Sequence, residues 1–273
     1  MSDYSLTFSA IVLYLACSAL LFFRLGKPGE SNTDARTGLS KKHIIIIGFG
    51  GLLLHALALY NNMFSDMGVN FGFYNAMSLV SAFIVLFTLS ATWRYPVEIL
   101  TIALLPITVL IMTVDLFGHS SHLLPADSSP ALIFHILTSI IAYSLLALAA
   151  LQAILLSIQN KHLHAHQPGG IIRLLPPLRN MEVLLFEVIL VGFIALTISL
   201  GTGLIFLENM FAQQLAHKTV LSILAWFVFL TLLIGHWKLG WRGRTAIRWT
   251  LSGFVSLMLA YFGSKFVLEI LLA

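Results

Sequence analysis

The sequence predicts an all-α polytopic membrane protein, a bundle of about eight transmembrane helices. Of its 273 residues, 59% are hydrophobic and 10% are charged, whereas a water-soluble protein carries about 25% charged residues. The apolar residues fall into runs of about 20, the length of helix that crosses a hydrocarbon core. Backbone amides cannot stay unpaired in lipid, and runs of this length favour helices over the shorter strands of a membrane barrel.

Eight apolar runs are predicted to cross the membrane. They lie at residues 5–23, 44–60, 72–92, 97–114, 130–159, 180–207, 217–238 and 247–270. The fifth and sixth runs are longer than one crossing requires at about 1.5 Å per residue, so we expect them to tilt or to project into water.

The first run is predicted to be a retained helix. Residues 1–4 contain Asp3 and neither Lys nor Arg, so they lack the basic start of a cleavable signal peptide. The run holds Cys17, the one cysteine of the chain. A single cysteine excludes a disulfide framework, a CxxC redox pair and a covalent haem-attachment motif.

Small residues at helical spacing predict the packing faces of three runs, because they let two helix backbones approach closely in lipid. These faces are His135, Ser139, Ala142, Leu146, Ala149 and Ala153 in the fifth run, Gly192, Ala195, Ser199 and Gly203 in the sixth, and Gly253, Ser256, Ala260 and Gly263 in the eighth.

The distribution of basic residues predicts the orientation in the membrane. Of the 15 Lys and Arg residues, 13 lie in the connections after runs one, three, five and seven, and an excess of positive charge marks the cytoplasmic side. Both termini are therefore expected in the periplasm of a bacterium, with the runs in its inner membrane. Since the net charge of +4 is explained by orientation, we expect no nucleic-acid partner.

Two histidines open predicted helices at the same outer edge. His135 begins the fifth run and His217 begins the seventh. Two imidazoles at one depth on separate helices can bind haem iron from both sides, and the alternative is that both cap helix ends and contact water. Glu208, at the outer end of the sixth run, could accept a hydrogen bond from an imidazole and orient the ring.

The other histidines each leave alternatives open. His55, inside the second run, is either a further haem ligand or a hydrogen-bond partner between helices. Each remaining histidine has either a metal-binding or a structural role. We favour the structural role for the loop pair His119 and His122, the helix-end group His162, His164 and His166, and the interfacial His236. The acids Glu98, Glu182 and Glu187 are expected to pair with Arg94, Arg179 or Arg242 at the cytoplasmic end.

Several segments resemble the cytochrome c assembly family of CcmC, CcsA and HemX. They are HILTSIIAYSLLALAALQ, LPPLRNMEVLLFEVILVGFIALT and HKTVLSILAWFVFLTLLIGHWKLGWRGRTAIRWTLSGF. The upstream segments NFGFYNAMSLVSAF and WRYPVEILTIALLP resemble in particular its inner-membrane YpjD branch. The resemblance implies a six-helix core at residues 64–273, preceded by two additional helices at residues 1–63.

The resemblance also implies that haem b is bound non-covalently at the periplasmic face and presented for attachment to apocytochrome c. His135 matches the first haem-ligand histidine of the family. Residues 207–217, LENMFAQQLAH, lack the family's tryptophans, and no histidine follows the last run. His217 is therefore expected to be the second ligand, in a protein that binds haem without delivering it or that regulates haem synthesis as a HemX-like protein.

The leading hypothesis is a haem-handling membrane protein that performs no bond chemistry, and its expected partners are lipid, haem and another inner-membrane protein. The sequence contains no Walker, GxSxG, HExxH or dinucleotide-binding motif, so we expect no enzyme. The alternative is a cofactor-free accessory subunit that scaffolds or regulates another membrane protein, for example an ion transporter. A transporter in its own right is disfavoured, because the runs hold few ionisable groups and no pair of broken helices.

Overall fold

The computed structural model describes residues 3–25, 39–65, 68–118, 123–125, 128–164, 176–206 and 216–263. Eight α-helices account for most of this part of the chain. They are α1 Asp3–Leu25, α2 Lys41–Met63, α3 Phe73–Arg94, α4 Glu98–Phe117, α5 Pro130–His164, α6 Leu178–Phe206, α7 Ala216–Leu239 and α8 Gly243–Met258. A π-helical turn, Leu259–Gly263, continues α8.

These helices confirm the predicted all-α polytopic membrane protein. Each of the eight apolar runs coincides with one helix, and α1 to α7 are long and apolar enough to cross a membrane. The predicted end of the eighth run at residue 270 lies outside the described residues. The fifth and sixth runs are long, as expected: α5 has 35 residues and α6 has 29.

The helices divide between two compact units. Unit 1 contains α1 to α4 and unit 2 contains α5 to α8 with the π-helical turn. The main division of the chain falls between Ala126 and Asp127. The predicted boundary between residues 63 and 64 follows the family resemblance rather than packing, and it stays a prediction.

Two glycines bring α2 close to α1 in unit 1. A Cβ atom added to Gly51 would lie 2.9 Å from the ring of Tyr14, and one added to Gly48 would lie 3.0 Å from the sulfur of Cys17. Tyr14 and Cys17 are fully buried in the same apolar core as Leu89 of α3. Because glycine has no side chain, the two helix backbones can approach until these larger side chains fill the space between them.

An ion pair lies at the predicted cytoplasmic end of unit 1. The Glu98 carboxylate, at the start of α4, lies 2.9 Å from Lys41 Nζ and 3.8 Å from an Arg24 nitrogen. Lys41 Nζ also donates to the carbonyl oxygen of Tyr95 at 2.9 Å. We expected Glu98 to pair with an arginine at position 94, 179 or 242; its partners in the structure are Lys41 of α2 and Arg24 of α1.

A small antiparallel sheet joins two connections of unit 1. Strand β2, Gly68–Asn70, pairs with β1, Phe64–Ser65, on one side and with β3, Leu123–Pro125, on the other. Val69 lies opposite Phe64 and Leu124. The sheet thus links the chain that follows α2 to the chain that follows α4, on the predicted periplasmic side.

Unit 2 packs through the predicted small-residue faces. Ala142, Ala149 and Ala153 of α5 are buried, and a Cβ atom on Gly192 of α6 would lie 2.9 Å from the Leu146 side chain. Similarly, a Cβ atom on Gly253 of α8 would lie 2.8 Å from the Phe229 ring of α7.

The start of α8 is held by an acid of α6. Glu182 Oε1 accepts a hydrogen bond from the backbone N–H of Gly243 at 2.8 Å, and Gly243 adopts the left-handed backbone conformation with φ of +53°. A carboxylate at this position stabilises the unpaired amides and the positive dipole of a helix start. Glu182 therefore binds backbone at this point, where an arginine partner was expected.

Candidate functional site

His135 lies near the start of α5, where it faces the last turns of α6. Its Nδ1 is 2.9 Å from the carbonyl oxygen of Ser199 and 3.3 Å from Thr202 Oγ1. A carbonyl oxygen only accepts, so Nδ1 carries the hydrogen and donates it to Ser199. In a neutral imidazole, the lone pair is then on Nε2.

Three hydroxyl groups hold this arrangement together. Ser139 Oγ donates to the His135 carbonyl oxygen at 2.7 Å and lies 2.6 Å from Ser199 Oγ. Thr202 Oγ1 donates to the carbonyl oxygen of Ser199 at 2.9 Å. The residues lie three or four positions apart on each helix, and this spacing places them on the facing sides of α5 and α6.

The hydrogen bonding of the His135 imidazole resembles that of a metal-ligating histidine. A ligating histidine usually donates its other ring N–H to a carbonyl or carboxylate, which fixes the tautomer and the ring orientation. Its ring is partly buried, and Nε2 forms no hydrogen bond with any described residue. The residues present therefore fit haem: His135 would hold the iron through Nε2, and the Ser199 carbonyl would keep the ring in place.

The predicted partners of His135 lie at the edge of the described residues. Residue 217 belongs to the first turn of α7, which begins at Ala216, but its side chain is outside the described part. Glu208 is also outside it. The pairing of His135 with His217, and the orienting role of Glu208, stay predictions.

His55 lies in the core of unit 1, with 1% of its surface exposed. Its Nδ1 is 3.2 Å from the hydroxyl of Tyr14, and its Nε2 is 3.0 Å from Ser78 Oγ. These contacts support the second of the two alternatives for this residue, a hydrogen-bond partner between helices. Binding iron would require His55 to lose one of these bonds.

Two further histidines bind backbone carbonyls. His162 Nδ1 lies 2.9 Å from the carbonyl oxygen of Ile158, one turn earlier in α5. His236 Nδ1 lies 3.0 Å from the carbonyl oxygen of Trp241, and its ring stacks on Phe186 with 3.5 Å between the centroids. Both contacts fit the structural interpretation.

Metal sites other than haem find no support in the described part of the chain. No group of three or more His, Cys, Asp or Glu side chains there could hold a metal ion. The predicted alternatives for His119, His122 and His166 fall outside the described residues, as does the side chain of His164.

The polar partners of His135 were missed as functional residues. Ser199 was predicted as a small packing residue of α6, and Thr202 was not singled out. The signal that could have found them is a serine and a threonine three positions apart near the end of an otherwise apolar helix. A hydroxyl in lipid needs a partner.

Comparison with known proteins identifies relatives along nearly the whole chain. The family model described as "Cytochrome C assembly protein" matches residues 43–272. The inner membrane protein YpjD of Escherichia coli (strain K12) is 32% identical over 243 residues, which cover 86% of this chain and 90% of that protein. The cytochrome c biogenesis protein CcsA of Prochlorococcus marinus (strain MIT 9515) is 28% identical over 193 residues, covering 63% and 61%. No solved structure matches the chain significantly.

Proposed function

Because the chain belongs to the cytochrome c assembly protein family, we propose that it is a haem-handling protein that binds haem b non-covalently near the periplasmic face. It is a multi-pass protein of the inner membrane, like the relative named YpjD. Haem handling in this sense means binding, so no covalent bond of the porphyrin is made or broken.

This proposal depends on the hydrogen bond from His135 Nδ1 to the Ser199 carbonyl oxygen. It leaves the Nε2 lone pair of a partly buried ring available to iron, and it holds the ring against α6. The hydrogen bond between the Ser139 and Ser199 hydroxyl groups joins α5 to α6 beside the ring. A ligand held in this way needs little reordering when haem binds, which favours affinity.

We propose that His217 would be the second residue that holds the haem iron and that Glu208 would orient its ring. The support is positional: α5 and α7 belong to the same unit, and residues 135 and 217 each lie near the first turn of their helix. A pair of neutral imidazoles on separate helices is an established arrangement for haem in helix bundles.

We propose further that the chain holds haem without delivering it to cytochrome c itself. Residues 207–217 contain no tryptophan, whereas the resembling transporters have a tryptophan-rich loop there. The relative CcsA is named for cytochrome c biogenesis, and the 61% of its length that matches leaves room for parts of that activity outside the shared region.

A visible absorption spectrum tests the proposal. The full chain, purified in mild detergent from haem-replete cells, is expected to show a Soret band. His135→Ala and His217→Ala should each remove most of it, and added imidazole should restore it in His135→Ala. His162→Ala is the matched control on the same helix and should leave the band unchanged.

Two outcomes would count against the proposal. A colourless wild-type protein that also fails to bind added haemin would favour the cofactor-free accessory subunit. A Soret band that survives in folded His135→Ala protein would remove His135 as the ligand.

A further inference from the structure

The turn between α7 and α8, residues 239–243, folds back onto the end of α7. The Trp241 N–H donates to the carbonyl oxygen of Gly235 at 3.1 Å, and the Trp241 carbonyl oxygen lies 3.0 Å from Nδ1 of His236. The Trp241 ring packs so closely against Gly235 that any side chain there would meet it. The same ring lies 5.4 Å, between centroids, from that of Trp249 in α8. Trp241 therefore fixes the turn to both of the helices that it joins.

The end of the turn is bonded to a third helix. Gly243 donates its backbone N–H to Glu182 of α6 at 2.8 Å. Gly240 and Gly243 have φ of +66° and +53°, backbone conformations that residues with a side chain rarely adopt. The turn thus has one defined shape. It lies at a membrane surface, because α7 is long and apolar enough to cross a membrane and ends at Leu239.

Four cationic side chains flank this turn along the chain, and all of them are exposed: Lys238, Arg242, Arg244 and Arg248. The part of the chain that the structure describes provides no salt bridge to any of them. Arg244 and Arg248 lie one helical turn apart on α8, a spacing at which like charges repel. Four cations and the one carboxylate bonded to the turn, Glu182, leave an excess of three positive charges, which an anionic partner would neutralise.

Large apolar side chains are exposed among these cations. Trp237 is 64% exposed and Leu239 is 70% exposed, and Lys238 lies between them in the sequence. Tryptophan is typical of the level of the lipid headgroups at a membrane surface. A partner of this turn must therefore offer both negative charge and apolar surface at the membrane boundary. An anionic phospholipid offers both, whereas a free phosphate ion lacks the apolar part.

We propose that this turn binds an anionic phospholipid, with the lipid phosphate at Arg242 and Arg244 and the acyl chains along Trp237 and Leu239. The orientation of the protein in the membrane requires only that positive charges lie on one side. It does not require the turn that carries them to be fixed to three helices. The site lies within unit 2, at the opposite end of α7 from residue 217, so it does not depend on the haem proposal.

Native mass spectrometry of the full chain in detergent, titrated with phosphatidylglycerol or with phosphatidylcholine, tests the proposal. We expect the first phosphatidylglycerol to bind about 25-fold more tightly than the first phosphatidylcholine, because each of two arginines contributes a factor of about five at an anionic headgroup. The double variant Arg242→Gln, Arg244→Gln should lose this preference and keep its affinity for phosphatidylcholine. Trp237→Ala should weaken the binding of both lipids alike, because the indole contacts the part that they share.

Arg94→Gln is the matched control, because Arg94 is an exposed arginine on the same predicted side of the membrane but in unit 1; it should keep both wild-type affinities. Equal affinity of the wild type for the two lipids would overturn the proposal and favour an acidic protein segment as the partner. A double variant that keeps the preference, or an Arg94→Gln variant that loses it, would also overturn it. Arg242 makes no side-chain cap on α8, so the double variant should fold; otherwise each single variant decides, with a fivefold loss expected.

Discussion

The carbonyl oxygen of Ser199 lies 2.9 Å from Nδ1 of His135, so one backbone group of α6 determines which ring nitrogen of α5 a ligand can reach. A side-chain substitution cannot remove a carbonyl, but it can remove the groups that hold it in place. The hydroxyls of Ser139 and Thr202 are those groups.

Thr202→Val is expected to weaken haem binding about tenfold, because partners behind a ligating histidine contribute roughly this much to metal affinity. The change removes the hydroxyl 3.3 Å from Nδ1 and its bond to the Ser199 carbonyl, while it keeps the branched shape. Haemin titration followed in the Soret region measures the effect.

Thr113→Val in α4 is the control. It removes a hydroxyl that is hydrogen-bonded to its own helix, so the variant should bind haemin as the wild type does. Equal affinity in both variants would exclude a role for Thr202.

Gly192→Ala is expected to lower the free energy of unfolding by about 1–3 kcal/mol, the usual cost of overpacking a core. The new methyl group would meet the Leu146 side chain at 2.9 Å and push α6 away from α5. Gly201→Ala on the same helix meets nothing within 4 Å, and alanine favours a helix by up to about 1 kcal/mol over glycine. Thermal unfolding in detergent compares the two, and equal stability would show that Gly192 is not a close contact.

Glu98→Gln is expected to destabilise unit 1 by about 1–3 kcal/mol, because it leaves the partly buried Lys41 ammonium group without a charged acceptor. The Glu98 side chain is 9% exposed, and Lys41 Nζ lies 2.9 Å from its carboxylate. The exposed Glu187→Gln, on α6, removes the same charge at a surface position and should have little effect. Chemical denaturation at low and high salt gives the free energy of unfolding of both variants. A loss of stability that disappears in high salt would indicate only a surface interaction.

Gly51→Ala is expected to disturb the hydrogen bond between Tyr14 and His55. The added methyl group would lie 2.9 Å from the Tyr14 ring, one helical turn before His55, and the ring would have to shift. Gly50→Ala meets Leu13 at an ordinary 3.6 Å and is the matched control. Tyrosine O–H stretching in infrared difference spectra should change in Gly51→Ala and not in Gly50→Ala; the same spectrum in both would mean that the ring has room to move.

The helices were predictable because an apolar run of membrane length has one stable form in lipid. The small-residue faces of α5, α6 and α8 were predictable for a similar reason, since Gly192 and Gly253 have no function in a helix other than close approach. His135 was chosen as a candidate ligand by its place at a helix start and by the family resemblance, and its ligand role stays a prediction. Its position on a packing face of α5 also agrees with the structure.

The partners of the polar groups could not be predicted. Glu98 pairs with Lys41 and Arg24 because α1 packs against both α2 and α4, and a single sequence does not show which helices are neighbours. For the same reason Tyr14, His55 and Ser78, which are joined by hydrogen bonds in the structure, look unrelated in the sequence. Strands of two or three residues, such as β1 and β2, are too short to give a periodic pattern.

The length of α5 has a mechanical consequence. A continuous helix joins His135 to His162, and at 1.5 Å per residue they are about 40 Å apart, farther than the hydrocarbon layer is thick. A rigid rod of that length acts as a lever: a rotation of about 5° at the His135 end displaces the other end by about 3.5 Å. Any event that rocks the His135 end of α5 is thereby transmitted to the His162 end without a change in fold.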